Sequence, residues 1–438
     1  MSGISTCSIS LNGNDKTHWM SERYATQPVY RPSLVQGVTQ VLSSVFGHHK
    51  PADKAIESIF RSNKRWGKRD RAFVAERSYD LVRWWNRVER MSGDDGNLRN
   101  PATLLRRWAA YEIWRHGADP TDFLQQFFAE NGVEIPSPDA WRSQWKRLEL
   151  MPWEEVAFPE WLHLKFTEEY GDEAQAVLAS LNDSAAVCLR VNTLKTNREQ
   201  VRHALQQDGI ETQTVPDLPH ALVLWERANV FRTEAFQKGW LEVQDLASQR
   251  VGLLLDPRPG ERVADACAGA GGKTLHLAML MENRGTLLAL DVVHWKLKEL
   301  RRRAKRAGVG NYQARLVQST KDFKRLHRSF DAVLLDTPCS GTGTIRRNPD
   351  KKWSLSESGI ERLGRLQAEI LETYAPLVKP GGRMVYATCS LLQAENQERL
   401  NAFLAKHPEF ELDSDPLLRR PDLHGEDGFY AQRLVRKR

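Results

Sequence analysis

Residues 264–278 read ADACAGAGGKTLHLA. A short apolar run, RVADAC (262–267), ends beside an acid. It turns through Gly269, Gly271 and Gly272 and opens into apolar residues at helical spacing. Strand, glycine-rich turn and helix in that order let backbone N–H groups approach a ligand closely at the helix N-terminus. Two familiar glycine motifs fail here. The triphosphate P-loop needs a glycine where Cys267 stands, and the dinucleotide fingerprint needs one where Thr274 stands.

The rhythm continues downstream. GTLLALD (285–291), DAVLLD (331–336) and RMVYATC (383–389) are apolar runs separated by amphipathic helical stretches. Such runs alternating with helices imply a parallel sheet covered on both faces. Ligands of these sheets gather beyond the carboxyl ends of the strands. Asp265, Asp291, Asp336 and Cys389 all fall at such ends. With both nucleotide motifs excluded, the remaining common ligand of this turn is S-adenosylmethionine. Asp291, 26 residues after Asp265, is spaced to bind ribose hydroxyls.

Upstream the texture differs. Residues 1–27 are polar and are expected to form a flexible tail. Residues 28–150 read as a helical N-terminal domain: RDRAFVAERSYDLVRWWNRVERM (69–91) sets Val74, Ser78, Leu81 and Trp85 on one face. Trp66, Trp84, Trp85, Trp108, Trp114, Trp141 and Trp145 are expected in its core rather than as base-stacking platforms. Residues 151–240 read as a linker followed by a small α+β module, with strand-like VCLRVNTLK (187–195) and HALVLWE (220–226) around a helix at 199–209. Residues 241–438 hold the strand–helix alternation.

Composition narrows the function classes. The chain has 438 residues, 41% hydrophobic and 27% charged, as a globular protein of several domains should. A net charge of +7 favours an anionic partner without identifying it. Two basic stretches, FRSNKRWGKRDR (60–71) and residues 298–306 in VVHWKLKELRRRAKRAGVG, are candidate RNA contacts. In the second, Leu297, Leu300, Ala304 and Ala307 share one helix face, leaving Arg301, Arg302, Arg303, Lys305 and Arg306 mostly outside. There is no signal-peptide pattern and no apolar stretch long enough to span a bilayer, so a cytoplasmic protein without a membrane partner is expected.

Cys7, Cys188, Cys267, Cys339 and Cys389 are an odd set with no C-x-x-C pair, against a disulfide scaffold or a zinc site. No metal is expected. Cys339 (DTPCSG) and Cys389 (ATCS) instead sit in tight polar turns at the ends of two strands of one sheet. Thiolate catalysis explains that placement better than packing. Ser390 and Gln393 match a capping box, so a helix is expected just after Cys389, its dipole favouring the thiolate.

DACAGAGGKT (265–274), DTPCSGTGTIRRNPDKKW (336–353) and YATCSLLQAEN (386–396) resemble the signature segments of the RsmB/Sun/Nop family of S-adenosylmethionine-dependent RNA cytosine-5 methyltransferases. The likeness runs from about residue 185 to the C-terminus and includes RVNTLKT (190–196), VQDLASQ (243–249) and EDGFYAQRL (426–434). Two positions depart from it. Ser319 and Thr320, with Asp322 slightly late, stand where the family has a third-strand acid, and Thr337 replaces an alanine.

The resemblance implies a Rossmann-like methyltransferase domain at 241–438 and S-adenosylmethionine bound by Cys267, Ala268, Gly269, Ala270, Gly271, Gly272, Lys273, Asp291 and Asp336. It implies a cytosine in RNA as the substrate, and a base inside a duplex would have to leave the stack, so a single-stranded or looped site is expected. Ribosomal RNA is favoured over transfer RNA, the sequence leaving the choice open, and a monomer is expected. Cys389 is then the nucleophile, Cys339 assists elimination, Asp336 meets the base edge and Lys273 adds positive charge. Lys273 is equally suited to neutralising a carboxylate. Two other classes stand beside this reading. One is a non-catalytic RNA-binding or ribosome-assembly factor that keeps the fold; the other is a nucleotide-hydrolysing RNA factor suggested by GGKT.

Overall fold

A computed structural model describes residues 30–117, 121–319, 323 and 325–438. The expected tail at 1–27 lies outside the described residues, as do Thr320 and Asp322. The chain divides into two compact units. The first holds the described residues up to Asn182 together with Arg347–Ser354; the second holds Asp183–Arg346 and Leu355–Arg438.

The first unit is helical among its described residues, from Pro32–Leu42 to Ala174–Ser180. Val74, Ser78, Leu81 and Trp85 are all buried, as their spacing requires. They belong to two helices, Lys68–Arg83 and Trp85–Ser92, because the backbone breaks at Trp84 (φ −104°, ψ 22°). Trp85, Trp108 and Trp141 lie inside the core, and Trp66, Trp84, Trp114 and Trp145 pack against it. Under them Arg77 and Tyr30 both donate to the buried Glu112, at 2.6 and 3.0 Å. Lys352, from the inserted segment, is fully buried here and donates to Asn182 Oδ1 at 2.9 Å; burial holds its ammonium well below the usual lysine range.

The second unit carries two sheets. The small one is antiparallel, with strands β1 (Cys188–Val191), β2 (Thr212–Val215), β3 (Leu218–Leu224) and β4 (Leu241–Val243) in the order β2-β3-β1-β4. The large one holds β5 (Arg262–Asp265), β6 (Thr286–Asp291), β7 (Tyr312–Leu316), β8 (Phe330–Asp336), β9 (Val378–Thr388), β10 (Phe410–Leu412), β11 (Leu417–Arg419) and β12 (Phe429–Arg436). Its order is β10-β12-β9-β8-β5-β6-β7, with β11 beside β12.

Strands β5 to β9 pair in parallel, and β12 runs antiparallel between β9 and β10. This is a Rossmann-like sheet, as expected. Alternate residues feed opposite cores because strand side chains point to alternate faces. Val263, Leu287, Leu334 and Val385 meet the helices Leu246–Leu255, Gly272–Leu280 and His294–Ala307 on one face. Ala264, Leu288, Val333 and Met384 meet Glu357–Tyr374 and Gln397–Leu404 on the other. Strand order reverses at the β5–β8 boundary, so the ends of those two strands flank the switch point where such sheets bind ligands.

The two sheets of this unit are joined by charge. Leu297, Leu300, Ala304 and Ala307 are buried as expected. Arg303 and Arg306, however, do not face solvent. Both pair with the buried Glu242 of β4, Arg303 at 2.9 Å, and Arg306 also lies 3.8 Å over the Phe236 ring. Of the basic residues in the stretch 298–306, Lys298, Arg301, Arg302 and Lys305 remain exposed, so it offers a narrower basic face than its sequence suggests. Removing Glu242 would leave two inward guanidinium groups without their carboxylate. Glu242→Ala should therefore lower unfolding stability by about 3 kcal/mol. Glu299→Ala, which frees only the exposed Arg302, should change it by less than about 1 kcal/mol. Urea denaturation of the two variants checks the contrast; equal effects would contradict it.

Candidate active site

The first half of the site is the glycine turn between β5 and the helix Gly272–Leu280. Gly269 (φ +55°) and Gly271 (φ +90°) both adopt left-handed backbone. At Gly271 a Cβ would also come within 2.7 Å of Leu300 Cγ. At Gly269 a Cβ would meet nothing within 4 Å; it would stand in open space over the turn, where a ligand can lie against backbone.

The turn is pinned from several sides. Both carboxylate oxygens of Asp291 are engaged, by the N–H groups of Gly269 (2.8 Å) and Val293 (2.7 Å). Arg190 of β1 donates to the Gly272 carbonyl and Arg303 to that of Ala270, each at 2.9 Å. Asp265 is buried beneath; burial pushes its carboxyl up to about 7, against the hydrogen bond from Thr274 at 2.7 Å. Burial likewise pushes the Cys267 thiol up, so this cysteine lines the turn as a neutral group. A backbone cradle and an acid at the end of the next strand fit an adenosyl ligand, with Cys267, Ala268, Gly269, Ala270, Gly271, Gly272 and Asp291 as the residues that would hold it.

The second half lies at the ends of β8 and β9. Their register sets Asp336 opposite Ala387, and the Thr337 N–H continues the pairing to the Ala387 carbonyl at 2.9 Å. The two chains leave the sheet side by side, and Cys339 Sγ lies 3.3 Å from Cys389 Sγ. The hydrogen bond with Cys389, followed by burial, holds the Cys339 thiol well above its usual range. Lys273, at the start of the helix after the glycine turn, donates to Asp336 Oδ2 at 2.7 Å and lies 4.9 Å over the Phe429 ring. Lys273 thus neutralises a carboxylate and does so within the site.

The crossing of these turns with the segment before β12 is close. The Gly343 N–H donates to the Cys389 carbonyl at 3.0 Å, and the Gly428 N–H to the Gly343 carbonyl at 2.8 Å. A Cβ on Gly343 would fall 2.1 Å from the Gly428 carbonyl oxygen, so no side chain fits there.

One expectation fails at Cys389. No helix begins just after it. Ser390 Oγ accepts the Leu392 N–H and donates to Glu395 rather than capping, and the next α-helix, Gln397–Leu404, starts beyond a 3₁₀ turn at Gln393–Glu395. A helix dipole does not act on this cysteine. Among the described residues no cluster of three or more metal-ligating side chains occurs, and no helix is long and apolar enough to cross a membrane. In the first unit, Lys64, Arg65, Lys68 and Arg69 of the other basic stretch are exposed.

Sequence reasoning missed several supporting residues. Arg250 grips Glu426 at 2.7 Å and Arg346 grips Asp427 at 2.6 Å, fixing the segment that carries Phe429. Glu395 is buried behind both cysteine turns. The only sequence signal for these acids was their presence in otherwise apolar or glycine-rich motifs.

Residues 252–434 match the model of the 16S rRNA methyltransferase RsmB/F family, and residues 158–231 match the RsmF/B-like ferredoxin-like domain. The chain is 36% identical over 290 residues to the probable ribosomal RNA small subunit methyltransferase B of Bacillus subtilis, covering 66% of this chain and 64% of that one. It is 35% identical over 301 residues to the corresponding protein of Synechocystis sp., covering 64% and 67%. The chain thus spans 64% of the length of the first of these curated relatives and 67% of the second.

Among solved structures it resembles a methyltransferase homolog from Pyrococcus horikoshii, with a TM-score of 0.58 at 29% identity over 66% of this chain and 98% of that one. It also resembles the protein designated PH0851, with a TM-score of 0.77 at 28% identity over 94% and 100%. The chain belongs to the RsmB/F methyltransferase family.

Proposed function

We propose that this protein transfers a methyl group from S-adenosylmethionine to carbon 5 of a cytosine in ribosomal RNA, through a covalent bond between Cys389 and the base. The observation that carries the reading is the pair of sulfurs 3.3 Å apart, beside the Lys273–Asp336 ion pair and across the switch point from the glycine turn. Binding alone requires neither thiol, which weighs against a factor that keeps the fold without turnover. The missing first P-loop glycine at Cys267 weighs against nucleotide hydrolysis. Ribosomal RNA as the substrate is supported by the names of the relatives.

Carbon 5 of cytosine is a weak nucleophile, and the remedy is addition at its neighbour. The Cys389 thiolate forms a bond to C6, and the C5–C6 electrons shift to make C5 nucleophilic. Asp336, one oxygen held by Lys273, has its other oxygen for the pyrimidine edge, where charge changes as C6 is attacked. Cys267–Lys273 with Asp291 and Asp336 would hold S-adenosylmethionine, which would supply an electrophilic methyl group from its sulfonium and leave as the neutral thioether S-adenosylhomocysteine. Carbon 5 takes that methyl, then loses its proton to solvent. The electrons re-form the C5–C6 double bond, and the bond from C6 to the Cys389 sulfur breaks. Cys339, held as a thiol, donates its proton to the departing sulfur and so assists release; return of that proton to Cys339 restores the Cys389 thiolate for the next cycle. A cytosine inside a duplex cannot reach this site without leaving the stack.

Cofactor binding is testable by calorimetry. S-adenosylmethionine should bind at micromolar affinity, on the order of −8 kcal/mol. Asp291→Ala should weaken binding about ten- to a hundred-fold, since it removes a carboxylate that also pins the turn. Binding of ATP with none of S-adenosylmethionine would contradict the assignment.

The division between the cysteines is testable on a denaturing gel. Cys389→Ser should abolish methylation, because a hydroxyl is far less ionised than a thiol. Cys339→Ala should accumulate protein covalently joined to RNA, and the double variant should show no such band. Trapping by the Cys389 variant instead would reverse the two roles. Full turnover in both single variants would reduce the thiols to packing and end the proposal.

A further inference from the structure

Glu395, which the reaction above does not use, is wholly buried at the end of the 3₁₀ turn Gln393–Glu395. Its carboxylate receives four donors. Oε1 accepts the Ser340 N–H at 2.8 Å and Gln367 Nε2 at 3.0 Å. Oε2 accepts the hydroxyls of Ser340 and Ser390, each at 2.5 Å. Each oxygen thus has two partners, and the side chain is satisfied without reaching solvent.

The identity of those partners is informative. Ser340 follows Cys339 and Ser390 follows Cys389. Gln367 also donates to the carbonyl of Pro338, the residue before Cys339, at 3.0 Å. Tyr386, three residues before Cys389 in β9, donates to the Glu395 carbonyl at 2.6 Å. A single side chain therefore grips both turns that carry the sulfurs. We propose that Glu395 is the positioning residue of the cysteine pair, locking the turn after β8 to the turn after β9 so that the two sulfurs face one another. The proposal rests on the reading of this site as a cysteine-dependent methyltransferase.

The charge of Glu395 matters as well as its shape. Burying a carboxylate costs free energy that an amide or an apolar bridge would avoid. Several groups act on the Cys339 thiol: Cys389 from the turn after β9, Glu395 from the 3₁₀ turn and the Gly341 N–H from its own turn; the thiol in turn acts on the Tyr386 hydroxyl of β9. The Lys273–Asp336 pair sits at the end of its own strand, β8. The hydrogen bond to Cys389 raises the thiol most, burial adds to it, and the negative charges of Cys389 and Glu395 push the same way. The Gly341 N–H opposes them. Glu395 thus helps to hold Cys339 as a thiol. Neutralising Glu395 removes one of the raising causes, so Cys339 should ionise at lower pH.

The test compares Glu395→Gln and Glu395→Asp with wild type by two readouts. The first is the pH dependence of Cys339 alkylation by iodoacetamide, followed by peptide mass spectrometry. It needs neither RNA nor cofactor, so it reads the Glu395–Cys339 coupling even if the methylation reading fails. The second is methyl transfer to RNA under saturating S-adenosylmethionine, measured per folded protein. Glu395→Gln should shift the alkylation midpoint to lower pH and slow turnover about ten- to a hundred-fold, with the KM for S-adenosylmethionine unchanged. Glu395→Asp keeps the charge but shortens the reach, so its midpoint should stay while turnover falls. Should Glu395→Gln fail to fold, the aspartate variant carries the test. Loss of thermal stability with midpoint and turnover both unchanged would make Glu395 a structural bridge only and overturn the proposal. A shifted midpoint in a protein whose wild type makes no 5-methylcytosine would uphold the coupling and remove only the reaction it was assigned to.

Discussion

The parallel pairing of β8 with β9 is the constraint on which the site depends. From Ala332 opposite Arg383 to Asp336 opposite Ala387, the register delivers two chain segments to the same edge of the sheet at the same height. A slip of one residue would turn every side chain to the other face and carry the cysteine turns apart. The pairing is held by burial on both sides: Leu334 and Val385 toward one set of helices, Val333 and Met384 toward the other. The hydrophobic alternation that builds the core therefore also sets the 3.3 Å separation of the sulfurs.

Around that pairing, charge is distributed in short steps. Lys273 answers Asp336, Arg190 and Arg303 answer the carbonyls of the glycine turn, and four donors answer Glu395. Each buried charge has a partner whose backbone belongs to a different element. The site is thereby fixed by contacts between strands, turns and helices of the second unit rather than by any one loop. That arrangement suits chemistry in which bonds must form and break without the supporting groups having to move.

The strands, the glycine turn and the carboxyl-end placement of Asp265, Asp291, Asp336 and Cys389 were legible in the sequence, because each depends on local pattern: an apolar run, a turn residue, an acid at the boundary. What was not legible depends on partners far away in the chain. Arg306 reads as a solvated cation until Glu242, 64 residues earlier, is seen beside it. Ser390 and Gln393 satisfy a local helix-start pattern, but Glu395 takes the Ser390 hydroxyl and no helix begins there. EDGFYAQRL reads as a terminal motif, yet it supplies β12 as an antiparallel strand between β9 and β10. The signature segment at 336–353 is continuous in sequence but divides after Arg346, with Arg347–Ser354 grouping with the helical unit. Lys352 is buried there among Asn182 and Phe158, a fate that nothing in its own neighbours signals.

The central claim is that Cys389 bonds to carbon 6 of the cytosine that is methylated. The most direct measurement is to incubate wild-type protein and S-adenosylmethionine with RNA carrying 5-fluorocytosine, then map the trapped adduct by peptide mass spectrometry. Fluorine replaces the hydrogen that must leave carbon 5, so addition and methyl transfer can occur but elimination cannot. The account predicts a methylated pyrimidine attached to the peptide containing Cys389. An adduct on Cys339, or methylated RNA with no adduct on either cysteine, would contradict it.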